Sequence, residues 1–204
     1  MPAFQIAIDG EDLATVSTDG LRVLAVHLRG NRSDDAFVTV RLDGTTTESE
    51  SLTWLHDLEI RTAQTVTLRF LETIETSARG KTIDELYPDD EEDVDEAGDG
   101  ESDEELSPTA MLADLQARPL LRDGYGLKLQ LAEGQSVESR TTAEEHGFGL
   151  TVLWNQMRPE RVSVALSCHT LEQAVHRSPS RELAREYVSA PGEIRLQVRG
   201  PCLA

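Results

Sequence analysis

The chain has 204 residues, 38 of them acidic and 19 basic, for a formal net charge of −19. That balance excludes general binding to nucleic-acid phosphates or anionic lipid, since both need a positive surface. No apolar run approaches the ~18–20 residues that span a membrane. The N-terminus, MPAFQIAIDGED, lacks the basic start and apolar core of a secretory signal, so a cytoplasmic location is expected.

The charge is local. Between Asp84 and Glu105, 14 of 22 residues are acidic and none is basic, leaving 24 acidic against 19 basic residues elsewhere. Two cysteines, Cys168 and Cys202, lie far apart in sequence. Without an export signal they are expected as reduced thiols.

In chain order, FQIAID (4–9) alternates apolar and polar residues at the period of a half-buried strand, and Asp9-Gly10 supplies a turn. LRVLAVHL (21–28) is a continuous apolar run suited to a central strand. FVTVRLDG (37–44), LTWLHDLEI (52–60) and TVTLRFL (65–71) complete five or six strands at short spacing. Connections too short for crossover helices predict an antiparallel sandwich or partly closed barrel, with no helix before residue 72.

The succession FQIAIDGEDL, VLAVHL, LTWLHDLEI and VTLRFLE resembles a group of small bacterial β-domain proteins of uncharacterised function. The likeness covers residues 1–72. It departs from their pattern at Ala63-Gln64, where those proteins carry Gly-Asp before the last strand. It implies a fold and no activity.

The acidic run is expected to be a disordered linker over 84–106, because dense like charge leaves little to bury against an ordering cost of ~1–2 kcal/mol per residue. Within it, Asp93, Asp95, Asp99, Glu101 and Glu104 fall at positions of a calcium loop. The pattern fails at Ala97 and Gly100, and no amphipathic helix leads into it. A competing use is an electrostatic arm, in which Tyr87, Asp89, Asp90, Glu91, Glu92 and Asp93 engage a basic protein.

After the run, Ser107-Pro108 predicts a helix over TAMLADLQAR, and Pro119 ends it. YGLKLQL (125–131), FGLTVLW (148–154), VSVALSC (162–168) and EIRLQVR (193–199) read as strands. Residues 132–147 read as loop. Thr170 opens a capping box, and Ser178-Pro179 predicts another short helix through SRELAREYV. The segments 52–68 and 150–164 share L-T-x-L, an arginine and an alternating strand, a weak internal echo. The fold class expected is mainly β, as antiparallel sandwich or partly open barrel units with two or three short helices in the C-terminal half. The expected division is two β-rich units, 1–83 and 107–204.

Chemistry is sparse. Gly80-Lys81-Thr82 lacks the upstream glycine of a phosphate loop, since position 75 is Glu75. His56-Asp57 and Cys168-His169 are strand neighbours that should point to opposite faces. Cys168, His169 and His176 match no zinc spacing. Glu144-Glu145-His146-Gly147 precedes a strand, where functional loops often sit. Trp54 and Trp154 are expected in the core. No catalytic residue and no cofactor site is assigned. The function expected is a non-enzymatic bacterial protein-binding module, of immunity or antitoxin type, sequestering a basic toxin or nuclease. The alternative is a sandwich that binds sugar or calcium.

Overall fold

A computed structural model describes residues 2–72, 76, 79–88 and 107–200. It contains two six-stranded antiparallel sheets packed face to face, with no closure into a barrel. The strands are β1 (Ala3–Ile8), β2 (Glu11–Ser17), β3 (Leu21–Asn31), β4 (Val38–Thr46), β5 (Ser51–Ile60), β6 (Thr65–Leu71), β7 (Gly126–Gln130), β8 (Ser136–Arg140), β9 (Gly147–Asn155), β10 (Arg161–His169), β11 (Arg181–Ser189) and β12 (Gly192–Arg199). Three helices join them: α1 (Ile83–Leu86), α2 (Pro108–Ala117) and α3 (Leu171–Val175). Sheet I runs β2-β1-β6-β12-β7-β8, and sheet II runs β11-β10-β9-β3-β4-β5.

The alternation in sequence becomes the core. Phe4 and Ile6 of β1, Leu68 and Phe70 of β6, and Ile194, Leu196 and Val198 of β12 face inward from sheet I. Leu24, Val26 and Leu28 of β3 meet them from sheet II, with Leu150, Val152 and Trp154 of β9 and Val162, Val164 and Leu166 of β10. Side chains two apart along each strand share a face, so one apolar row per strand suffices to fill a two-layer interior.

The expected division into two units does not survive the pairing. β6 pairs with β12 in sheet I, and β3 pairs with β9 in sheet II. Each half of the chain thus supplies strands to both sheets, and one core cluster draws on both. The cause is edge satisfaction. A strand's unpaired N–H and C=O groups are met here by strands from the other half.

Four local readings also change. Residues 181–189 form β11, where Ser178-Pro179 predicts a helix; β11 runs antiparallel along β10, from Arg161↔Ser189 to Cys168↔Arg181. Tertiary pairing overrides a sequence whose apolar spacing (Leu183, Ala184, Val188) fits either period. β2 and β8 arise in stretches without clear alternation, and β8 lies in a segment expected as loop. The internal echo has no structural counterpart, since β9 and β10 form a hairpin within sheet II whereas β5 and β6 lie in different sheets. Finally, α1 places Asp84 to Leu86 in a helix at the start of the expected linker.

Candidate functional site

The acidic run leaves the sandwich from an anchored point. Lys81 bridges to Thr53 of β5 through two backbone hydrogen bonds of 2.8 Å. Thr82 then caps α1: its hydroxyl accepts from the Glu85 amide at 3.3 Å, and the Glu85 carboxylate accepts from the Thr82 amide at 2.9 Å. That reciprocal pair satisfies two free donors of the first turn. It also holds the Glu85 carboxyl below its ordinary range, through the Thr82 amide first and Arg79 further off. Tyr87 ends the helix, its hydroxyl 2.7 Å from His56 Nε2 and its ring edge-on to the imidazole.

The far end is anchored as well. The Ser107 hydroxyl accepts from the Ala110 amide at 3.2 Å and caps α2. Leu112 and Leu115 are half-buried where α2 lies against α3, while Met111 is exposed. Of the candidate partner-binding residues, Tyr87 is described and exposed. Asp89, Asp90, Glu91, Glu92 and Asp93 lie outside the described residues, as do the calcium-loop candidates Asp95, Asp99, Glu101 and Glu104.

A second cluster forms at one end of the sandwich, where the sequence offered only separate fragments. Glu145 is buried, and its carboxylate accepts from Arg181 Nε at 2.6 Å, Arg181 Nη2 at 2.8 Å and the Thr142 amide at 2.7 Å. Arg181 holds this carboxyl below the ordinary range, against the opposing effect of burial. Arg32 is buried too, and its guanidinium donates to the carbonyls of Arg122 (3.0 Å) and Ala143 (2.8 Å). Arg122 donates to the carbonyls of Asn31, at 2.7 Å, and Ala36, at 3.0 Å. Two arginines thereby lace the loop after β3 to the crossing between α2 and β7.

His146 and His169 join this cluster through the backbone, the His146 amide donating to the His169 carbonyl at 2.8 Å. Burial lowers the pKa of both histidines; nearby Arg32 adds to the effect at His146. Cys168 faces the core and is fully buried, with its thiol pushed up to about 11 by burial first and by Glu145 second. A thiol so placed is protonated at neutral pH and is a poor nucleophile. His169 points to the opposite face, against Gly147, so Cys168 and His169 do not meet as nucleophile and base. The cluster's chemistry is that of a structural clamp.

The remaining candidates disperse. His27 is half-buried beside Thr151, its Nδ1 3.3 Å from the hydroxyl. His56 and Asp57 approach to 3.9 Å where Asp57 takes a left-handed φ of 43°, so strict alternation breaks there. Trp154 is buried and donates to the Pro159 carbonyl at 3.1 Å, whereas Trp54 is half-buried over Gly80. His176 caps the end of α3 in solvent. Among the described residues no group of three or more His, Cys, Asp or Glu side chains is placed to hold a metal ion, and no helix is long and apolar enough to cross a membrane.

Sequence reasoning missed Arg32, Arg122 and Arg181, whose carbonyl and carboxylate partners lie 36 to 113 residues away. No local pattern marks them; a loop arginine is legible as a tie only once the loop it serves is placed. Comparison with protein-family models, with curated proteins and with solved structures finds no match.

Proposed function

We propose that the chain is a non-enzymatic protein-binding module of immunity or antitoxin type, which engages a basic protein through the part of the acidic run that follows α1, from Tyr87 onward. The observation that supports this reading is the anchoring of both flanks of that run on one sandwich. A capped helix and the Tyr87–His56 contact hold one end, and the capped α2 holds the other. Fixed ends lower the ordering cost of the run on binding. Twelve carboxylates between them give a field that attracts a cationic surface and speeds encounter at low ionic strength. A basic toxin or nuclease is a partner of that kind.

The test is capture from the native host at low and at high salt, with two baits. One is the intact chain; the other carries Asp89, Asp90, Glu91, Glu92 and Asp93 as Asn or Gln. A basic protein retained by the first bait, lost from the second and released by salt is the expected result. Equal retention by both baits, or none by either, refutes the reading.

A further inference from the structure

The outer face of sheet I is more basic than the chain as a whole. Arg69, Lys128, Arg140, Arg195 and Arg199 lie on it, against Asp12, Glu138 and Glu193. Most of these charges are already matched. Arg69 reaches Glu193 at 3.0 Å and Asp12 at 3.6 Å, Arg195 reaches Glu193 at 2.6 Å, and Lys128 reaches Glu138 at 2.7 Å.

Arg140 and Arg199 are the exceptions. Neither has a carboxylate within 4.0 Å among the described residues, though Arg199 lies near enough to Glu138, which also lines the groove, to help lower its pKa. Arg199 donates to the Gln197 side chain at 2.8 Å, and the Arg140 guanidinium has no partner there. The two stand on either side of one residue, since Gly126 of β7 pairs with Arg199 of β12 and with Arg140 of β8. At a strand spacing of about 4.8 Å, their Cα atoms are about 10 Å apart, within reach of two guanidiniums converging on one group. Because the residue between them is glycine, no side chain fills the gap.

This notch opens into a groove of about 390 Å³, lined also by Tyr125, Thr141 and Gly200. That volume lies within the ~300–1,000 Å³ typical of small-molecule sites. The carbonyl of Arg140 is fixed by Arg181 Nη2 at 2.9 Å, so one wall is tied to the Glu145 clamp. Asp123 is the one carboxylate lining the groove that no cation takes up.

We propose that this groove binds a phosphate-bearing small molecule, its phosphate seated over Gly126 between the guanidiniums of Arg140 and Arg199. Two separated cationic forks suit a dianion with three acceptor oxygens; a single carboxylate is satisfied by one fork. None of the residues lining the groove belongs to the acidic run.

The test is an amide NMR titration of the intact chain with inorganic phosphate and with phenyl phosphate, at ionic strength held constant by sodium chloride. Saturable shifts at Gly126, Lys128, Arg140 and Thr141, with a millimolar Kd and tighter binding of phenyl phosphate, are expected. Arg140→Gln and Arg199→Gln should each weaken binding by about threefold to tenfold, as for exposed charged contacts. Gly126→Val should abolish it without unfolding the chain. A Cβ at Gly126 meets only Arg199 Cβ at 3.7 Å and its carbonyl oxygen at 3.9 Å, and a β-branched residue suits a strand.

An unchanged spectrum away from the notch verifies that the variant is folded. Shifts that never saturate, equal shifts from acetate, or undiminished binding by folded Gly126→Val would overturn the site. Equal affinity for the two phosphates would overturn the assignment of the groove to the body of the ligand.

Discussion

Replacing Arg181 by Met isolates the clamp at the end of the sandwich. The Glu145 side chain is 6% exposed, and two of its three short hydrogen bonds come from Arg181. The substitution leaves a buried carboxylate with the Thr142 amide alone. Breaking a fully buried pair costs ~3–5 kcal/mol, and an exposed pair contributes ~0–1 kcal/mol. The Arg181 side chain is 42% exposed, so a loss of about 2 kcal/mol near neutral pH lies between those limits.

The sign of the pH dependence follows from the direction of the shift. Glu145 is lowered from 4.5 in the folded chain, so its contribution is present above that value and is lost as pH falls through the folded pKa. In Arg181→Met the carboxyl is no longer held down, and burial raises it. The gap between parent and variant should therefore narrow as the pH drops below about 4.5. Urea unfolding followed by tryptophan fluorescence, with Glu145→Gln, Arg181→Met and the double variant, measures both effects. The double variant should be more stable than Arg181→Met, with a coupling of about 0.5–3 kcal/mol. Costs that simply add, or a loss from Arg181→Met below about 0.5 kcal/mol, would refute the clamp.

Four further outcomes follow from the fold. Gly30→Ala places a Cβ 2.5 Å from Phe148 Cε1 and 2.9 Å from Tyr125 Cζ, and should cost about 1–3 kcal/mol by urea midpoint. Gly149→Ala, with nothing within 4 Å, should change the midpoint by less than about 0.5 kcal/mol. In a Cys202→Ser background, Cys168 should resist a thiol reagent at about pH 8 until urea unfolds the chain, because its pKa is pushed up to about 11; rapid native labelling would contradict its burial. Segments 1–88 and 107–204 should fold when co-expressed and copurify, and neither should unfold cooperatively alone; a cooperative transition in either one by itself would restore two domains.

Much of the fold is legible in the alternation of single strands. β1, β4, β6, β9, β10 and β12 all fall where apolar residues recur at every second position, because a two-layer interior demands that period. β2 and β8 lack it. Glu11 to Leu13 of β2 are exposed, as are Ser136, Glu138 and Arg140 of β8, since both are edge strands with less core to cover. β11 was hidden for a related reason, as its helix-like spacing is overruled by the open edge of β10.

The pairing order was not legible, for it depends on contacts between β3 and β9 or β6 and β12, more than 100 residues apart. For the site, the flank anchor at Ser107 was visible as a capping residue, whereas Thr82, whose box with Glu85 caps α1, was not. The clamp was visible only as an isolated Glu145, and the Arg140–Gly126–Arg199 row not at all, because a cross-strand triplet has no sequence spacing.

The place of β12 has a consequence for how the chain is made. It is the last described strand in chain order, yet it lies between β6 and β7 in sheet I. Until it leaves the ribosome, β1, β2 and β6 form one open patch and β7 and β8 another, each with a bare edge facing the gap. A nascent chain in that state exposes Leu68, Phe70, Leu127 and Leu129 together with unpaired backbone, a surface that recruits chaperones or aggregates. Closure joins residues far apart in sequence, which slows folding for reasons of loop entropy. Sheet I therefore stays incomplete until residues 192–199 have been made.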